Sequence, residues 1–102
     1  MNRNRALKSL GALAQATRLE AFRLLVQAGP DGLAAGDLAA RLDITPPALS
    51  FHLRGLAHAG LVQARQQGRF IYYSADYDAM QSLVEFLTEN CCGGAACLPA
   101  QG

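Results

Sequence analysis

The chain has 102 residues, 51% of them hydrophobic, and a formal charge of +1 from nine basic and eight acidic side chains. That length leaves no room for a separate catalytic domain, yet it suffices for one small core whose slim stability margin dimerisation would widen. No apolar run approaches a membrane span and MNRNRALKSL lacks the apolar core of a secretion signal, so a cytoplasmic protein with no membrane partner is expected.

In chain order, Leu7, Leu10 and Leu13 predict a first helix with an apolar stripe. Thr17 is placed to cap a second helix that runs to about Ala28 and carries Leu19, Phe22, Leu25 and Val26. Gly29, Pro30, Asp31 and Gly32 break it. Leu33, isolated beyond that break, is expected in a brief strand that pairs with a later hairpin. Leu38 and Leu42 anchor a third helix.

The next helix has a sharply specified start. Thr45 sits where its hydroxyl can satisfy an orphan backbone N–H, and Pro46 follows at the first helical position, where its fixed φ costs nothing. Ile44 and Leu49 are spaced for a hydrophobic staple. Leu49, Leu53 and Leu56 repeat at helical spacing, which buries one face and turns Pro47, Ser50, Phe51, Arg54 and His58 outward. A helix locked at its start, with small, polar and basic groups outside, suits a DNA major groove.

A hairpin follows. Leu61 to Arg65 have strand character, Gln66, Gln67 and Gly68 form a turn, and Arg69 to Ser74 return. Arg65 and Arg69 flank that turn, within reach of phosphates or a minor groove. The fold expected is mainly α with a small β-hairpin wing, a dimeric winged helix-turn-helix. Charge supports the assignment, since Arg41, Arg54, Arg65 and Arg69 face only Asp43 between positions 41 and 74. The acids Asp76, Asp78, Glu85 and Glu89 gather beyond it.

A last helix is expected from a cap at Asp76 to about Asn90, with Met80, Leu83, Val84, Phe86 and Leu87 on one broad face. The apolar faces of the first and last helices suit packing against a second copy, and a symmetric homodimer matches palindromic half-sites on double-stranded operator DNA. Residues 1–90 thus read as the DNA-binding and dimerisation domain and 91–102 as a tail.

Three segments, ALAQATRLEAFRLL, SFHLRGLAHAGLV and QGRFIYY, resemble the ArsR/SmtB family of metal-responsive bacterial repressors, and the likeness runs from about Leu10 to Cys97. The resemblance implies a dimeric winged-helix repressor that leaves DNA when an effector binds. It implies DNA contacts at Pro47, Ser50 and Phe51, to which the outward face adds Arg54 and the hairpin adds Arg65 and Arg69. Phe51 replaces a frequent histidine of the family, so its contact is expected to be apolar, for example with a thymine methyl.

Every cysteine lies in the tail NCCGGAACLPA, as Cys91, Cys92 and Cys97. Adjacent cysteines form a strained ring and a reducing cytoplasm disfavours structural disulfides, which leaves ligand function as the better reading. Thiolates select soft centres, and structural zinc usually takes four ligands. Three sulfurs without a fourth group suit trivalent arsenic or antimony, whose lone pair leaves a three-coordinate centre. Gly93 and Gly94 let the chain curl so that Cys97 joins the pair. The family's best-known arsenic and lead sensors carry a CVCDL-type motif in the third helix, where this chain has Ala34 to Leu38 and no thiol. It resembles instead the arsenic-sensing branch whose ligands follow the last helix. The expected effector is arsenite, As(III), or Sb(III), held by Cys91, Cys92 and Cys97. The alternative is a redox- or persulfide-sensing repressor of the same fold, using the same thiols. No CxxC motif, Gly-rich phosphate loop or acid–base pair near the cysteines points to an enzyme or a catalytic cofactor.

Overall fold

The computed structural model describes residues 1–94 and orders them as α1 (Arg3–Leu13), α2 (Ala16–Ala28), β1 (Leu33–Ala34), α3 (Ala35–Leu42), α4 (Pro46–His58), β2 (Val62–Gln67), β3 (Phe70–Ala75) and α5 (Tyr77–Thr88), then a 3-10 turn at Cys91–Gly94. Leu25 on α2, Leu38 on α3, Leu53 and Leu56 on α4, and Leu61 ahead of β2 form the fully buried centre of the core. The four helical leucines come from the apolar faces of their helices, so helical spacing alone specifies most of this cluster.

The step from α3 to α4 is tight. Asp43 ends α3 in the left-handed region (φ 54°), and the N–H of Ile44 returns to the Ala39 carbonyl at 3.1 Å. Thr45 then caps α4 as expected, its Oγ1 accepting from the Ala48 N–H at 3.3 Å. α3 packs on α4, giving the two helices of a helix-turn-helix.

The three strands form an antiparallel sheet in the order β1-β3-β2. Leu33 pairs with Tyr73, so the short strand expected at Leu33 exists and closes the open side of β3. The hairpin turn is shorter than expected. β2 continues to Gln67, which pairs with Phe70, and only Gly68 and Arg69 make the connection. Gly68 takes φ +63°, the sign that a two-residue hairpin turn favours. Arg69 therefore stands in the turn itself rather than at the start of the returning strand.

One further expectation needs correction. The cap of α2 is Gln15, whose extended backbone lets its longer side chain fold back to accept from the Arg18 N–H at 2.8 Å; Thr17 is already inside the first turn. On α1 the buried residues are Ala6, Ser9 and Ala12, while Leu7 is 60% exposed. Small residues allow close packing of α1 on the body of the chain, which leaves Leu7 and Leu10 outside while Leu13 packs against the core.

α5 begins as expected at Asp76 and ends at Thr88, two residues earlier than the sequence suggests. Its N-terminal turn is tied to the core by the Tyr77 hydroxyl, which donates to the Val26 carbonyl at 3.1 Å. Along α5 only Leu83 is buried within one chain, and α5 lies against α1. No helix among the described residues is long and apolar enough to cross a membrane.

Candidate nucleic-acid interface and thiol site

Because Leu49, Leu53 and Leu56 point into the core, α4 turns its opposite face to solvent, and Pro47, Ser50, Phe51, Arg54 and His58 are all exposed. Phe51 is 57% exposed, an unusual state for a phenyl ring with apolar neighbours available elsewhere. The ring meets His52 edge to face at a centroid distance of 5.4 Å. From α2, the Arg18 guanidinium lies 5.5 Å from the Phe51 centroid and donates through Nε to His52 Nδ1 at 3.3 Å. Arg18 was not among the residues singled out from the sequence, and no local pattern marks it.

The two wing arginines occupy different settings. Arg65 lies over the Tyr72 ring at 5.4 Å, and its Nη2 donates to the Asp31 carbonyl at 3.4 Å and to Gln67 Oε1 at 3.3 Å. It braces the wing against the loop after α2. Arg69 is exposed at the tip beside Phe70, itself 61% exposed. The tip thus combines one cation with one aromatic group, and Phe70 is a second surface residue that sequence reasoning passed over.

At the base of the wing, Asp76 Oδ1 accepts from the Ala79 N–H and Oδ2 from Gln63 Nε2, both at 2.9 Å. The bond from Ala79, then that from Gln63, hold the Asp76 carboxyl below its ordinary pKa, against a smaller opposing effect of burial. One side chain therefore joins the hairpin to the start of α5.

Beyond α5 the chain turns through Asn90 (φ 56°), Cys92 (φ 54°) and Gly93 (φ 68°). Left-handed backbone is ordinary for glycine, tolerated by asparagine and strained for cysteine, so the turn is held against local preference. Cys91 Sγ lies 3.9 Å from Cys92 Sγ, and both residues are exposed. Two thiolates sharing one tetrahedral ion, with bonds of about 2.3 Å, sit about 3.8 Å apart, and the narrower angles of a pyramidal three-coordinate centre draw them closer, so a small closure of the pair makes a chelate. Metalloid binding needs the thiols in their reduced form. The expected third ligand, Cys97, lies outside the described residues. Among the described residues, no three His, Cys, Asp or Glu side chains converge on one point.

The capped helix presented beside a β-hairpin defines a winged helix-turn-helix DNA-binding protein. The pattern of a helix-turn-helix domain matches residues 13–63. Over 91 residues the chain is 30% identical to the transcriptional activator HlyU of Vibrio cholerae, covering 89% of this chain and 82% of HlyU. It is 33% identical over 76 residues to the transcriptional repressor SdpR of Bacillus subtilis, covering 74% and 81%. An ArsR-like transcriptional regulator from Rhodococcus sp. RHA1 superimposes with a TM-score of 0.77 at 27% identity, covering 89% of this chain and 83% of that one. A structure described as a possible transcriptional regulator for arsenical resistance gives a TM-score of 0.70 at 36% identity, covering 79% and 81%. The chain belongs to the ArsR-like family of helix-turn-helix transcriptional regulators, and it is a regulator rather than an enzyme.

Proposed function

We propose that the chain is an arsenite-responsive repressor that binds operator DNA as a cytoplasmic homodimer and leaves it when As(III), or the chemically similar Sb(III), binds Cys91, Cys92 and Cys97. The observation that carries the reading is the pair of exposed sulfurs 3.9 Å apart immediately beyond α5. The relative described as a possible regulator for arsenical resistance supports it at 36% identity. SdpR, named a repressor, supports the direction of control.

The DNA surface in this reading consists of Pro47, Ser50, Phe51 and Arg54 on α4, with Arg65 and Arg69 on the wing. Phe51 supplies an apolar contact to a thymine methyl, and the arginines meet phosphates or base edges. The dimer forms through α1 and α5, whose outward residues Leu7, Leu10, Val84 and Leu87 are exposed in the single chain. Two copies then present two reader helices to successive half-sites. Release requires that the metalloid bind the DNA-incompetent arrangement more tightly than the competent one.

A thiol redox switch on the same fold is the second reading, favoured by the exposure of Cys91 and Cys92. Intact-mass spectrometry and operator release, measured together, separate the two. Under reducing conditions the arsenite reading expects one arsenic per chain and loss of DNA binding, with both effects crippled by Cys97→Ser. Release by oxidant with no arsenic adduct on the reduced protein establishes the redox reading instead.

A further inference from the structure

Arg18 and Gly55 form a device that the DNA-binding face alone does not account for. Arg18 stands in the first turn of α2, outside the helix-turn-helix pair, and its half-buried side chain crosses α4 at Gly55. A Cβ built at Gly55 would fall 2.7 Å from Arg18 Cζ and 2.9 Å from its Nη2. The absence of a side chain at position 55 is what lets the guanidinium pass. Glycine in mid-helix lowers helix propensity, so its place here needs a reason, and this crossing supplies one.

Having crossed, the guanidinium engages two consecutive residues of α4. It bonds to His52 Nδ1 and lies beside the Phe51 ring, which His52 contacts edge to face. The imidazole nitrogen facing Arg18 must be an acceptor, so the proton of the neutral ring sits on Nε2. Phe51 is thereby contacted by a cation and by the imidazole ring while more than half of it faces solvent. An exposed phenyl ring on a helix ordinarily exchanges between rotamers at little cost. These two contacts favour one.

We propose that Arg18 is a positioning residue for sequence reading, acting through His52 and Phe51 to fix the phenyl ring in the orientation that meets a thymine methyl, with Gly55 as the slot it requires. The proposal rests on the DNA-contacting role of Phe51 given above. Fixing the ring before binding removes an ordering cost at the moment of contact. Replacing Arg18 therefore weakens discrimination at one base pair per half-site more than it weakens the fold.

The experiment uses the full chain and the promoter duplex of its own gene, scanned with single thymine-to-deoxyuridine changes that each delete one methyl. The wild type is expected to lose affinity about fourfold at one thymine per half-site, the worth of one buried methyl. Phe51→Ala, Arg18→Met and Gly55→Ala should each bring that penalty close to onefold. Gly55→Ala keeps the answer clear if Arg18→Met folds poorly, because alanine is the better helix former and only the flexible end of Arg18 must move. Its melting temperature should not fall below that of the wild type. A full fourfold penalty retained in both Arg18→Met and Gly55→Ala overturns the positioning role. A wild type that binds the duplex but shows no sensitive thymine overturns it as well. Failure of the wild type to bind any duplex defeats the assignment of the α4 face itself, which is a different result.

Discussion

Replacing Asp76 with alanine should cost stability out of proportion to its surface position. The side chain caps α5 through Ala79 and clasps Gln63 at the base of the wing. Loss of a helix N-cap costs about 1 kcal/mol. A charge-assisted bond in a partly solvated setting adds roughly 0.5 kcal/mol, the low end for hydrogen bonds because water competes for both partners. The sum, roughly 1.5 kcal/mol, corresponds to a fall in Tm of about 6–12 °C for a domain of this size. Thermal unfolding followed by circular dichroism at one fixed protein concentration measures it, the fixed concentration being needed because association shifts Tm. Asp76→Asn sharpens the test, since asparagine caps as well as aspartate but cannot titrate. The folded carboxyl is held below its ordinary pKa, so the charged form contributes stability above that ordinary value, about 3.9, and loses it as pH falls through the lower folded value. The gap in Tm between wild type and Asp76→Asn should therefore be widest near neutrality and close below about pH 4. An unchanged Tm in Asp76→Ala, or a gap that stays constant from pH 7 to pH 3, would refute this reasoning.

Other expectations concern the reader, the wing and the dimer. Thr45→Ala removes the cap of α4 and should destabilise the chain by about 1 kcal/mol, read from urea midpoints at unchanged slope. Arg54→Ala and Ser50→Ala should weaken operator binding while leaving the oligomeric state intact; wild-type affinity in both argues against the α4 surface as reader. Arg69→Ala should reduce the slope of log affinity against log salt by about one unit or less, as one phosphate contact contributes. Leu87→Glu, at a position 58% exposed in the single chain, should give monomers by light scattering, because a lone carboxylate would be buried in an apolar interface. A wild type that is already monomeric removes the basis for that variant.

Local signals made α4 legible. Thr45, Pro46 and the Leu49, Leu53 and Leu56 spacing act within a few residues of one another, and the structure places its start and buried face where they point. The brief strand at Leu33 pairing with the wing was readable from one apolar residue stranded after a Gly-Pro-Asp-Gly break, whereas its register opposite Tyr73 was not. Gln15 was missed because a long amide is an uncommon cap, while the nearby Thr17 offers a more usual one. The face by which α1 packs within the chain went unread for a different reason, while its outward Leu7 and Leu10 agree with the stripe expected to meet a second copy. Hydrophobicity favours Leu7 and Leu10, whereas close approach of two helices favours the smaller Ala6, Ser9 and Ala12. The contact from Arg18 to His52 spans 34 positions and has no periodic or capping signature, so only tertiary structure reveals it. That Cys91 and Cys92 lie side by side follows from adjacency, but the left-handed backbone of Cys92 has no sequence signal.

None of the described residues after Leu83 is buried within a single chain, and the cysteine turn contributes nothing to the central cluster. Substitutions there meet little of the packing constraint that governs Leu25, Leu38 or Leu56. Selection can therefore rewrite the tail's chemistry while the core and reader helix stay as they are. In evolutionary terms the chemical input and the genetic output of this chain are separable traits. A new specificity can arise at residues 91–94 through steps that each leave a folded protein behind.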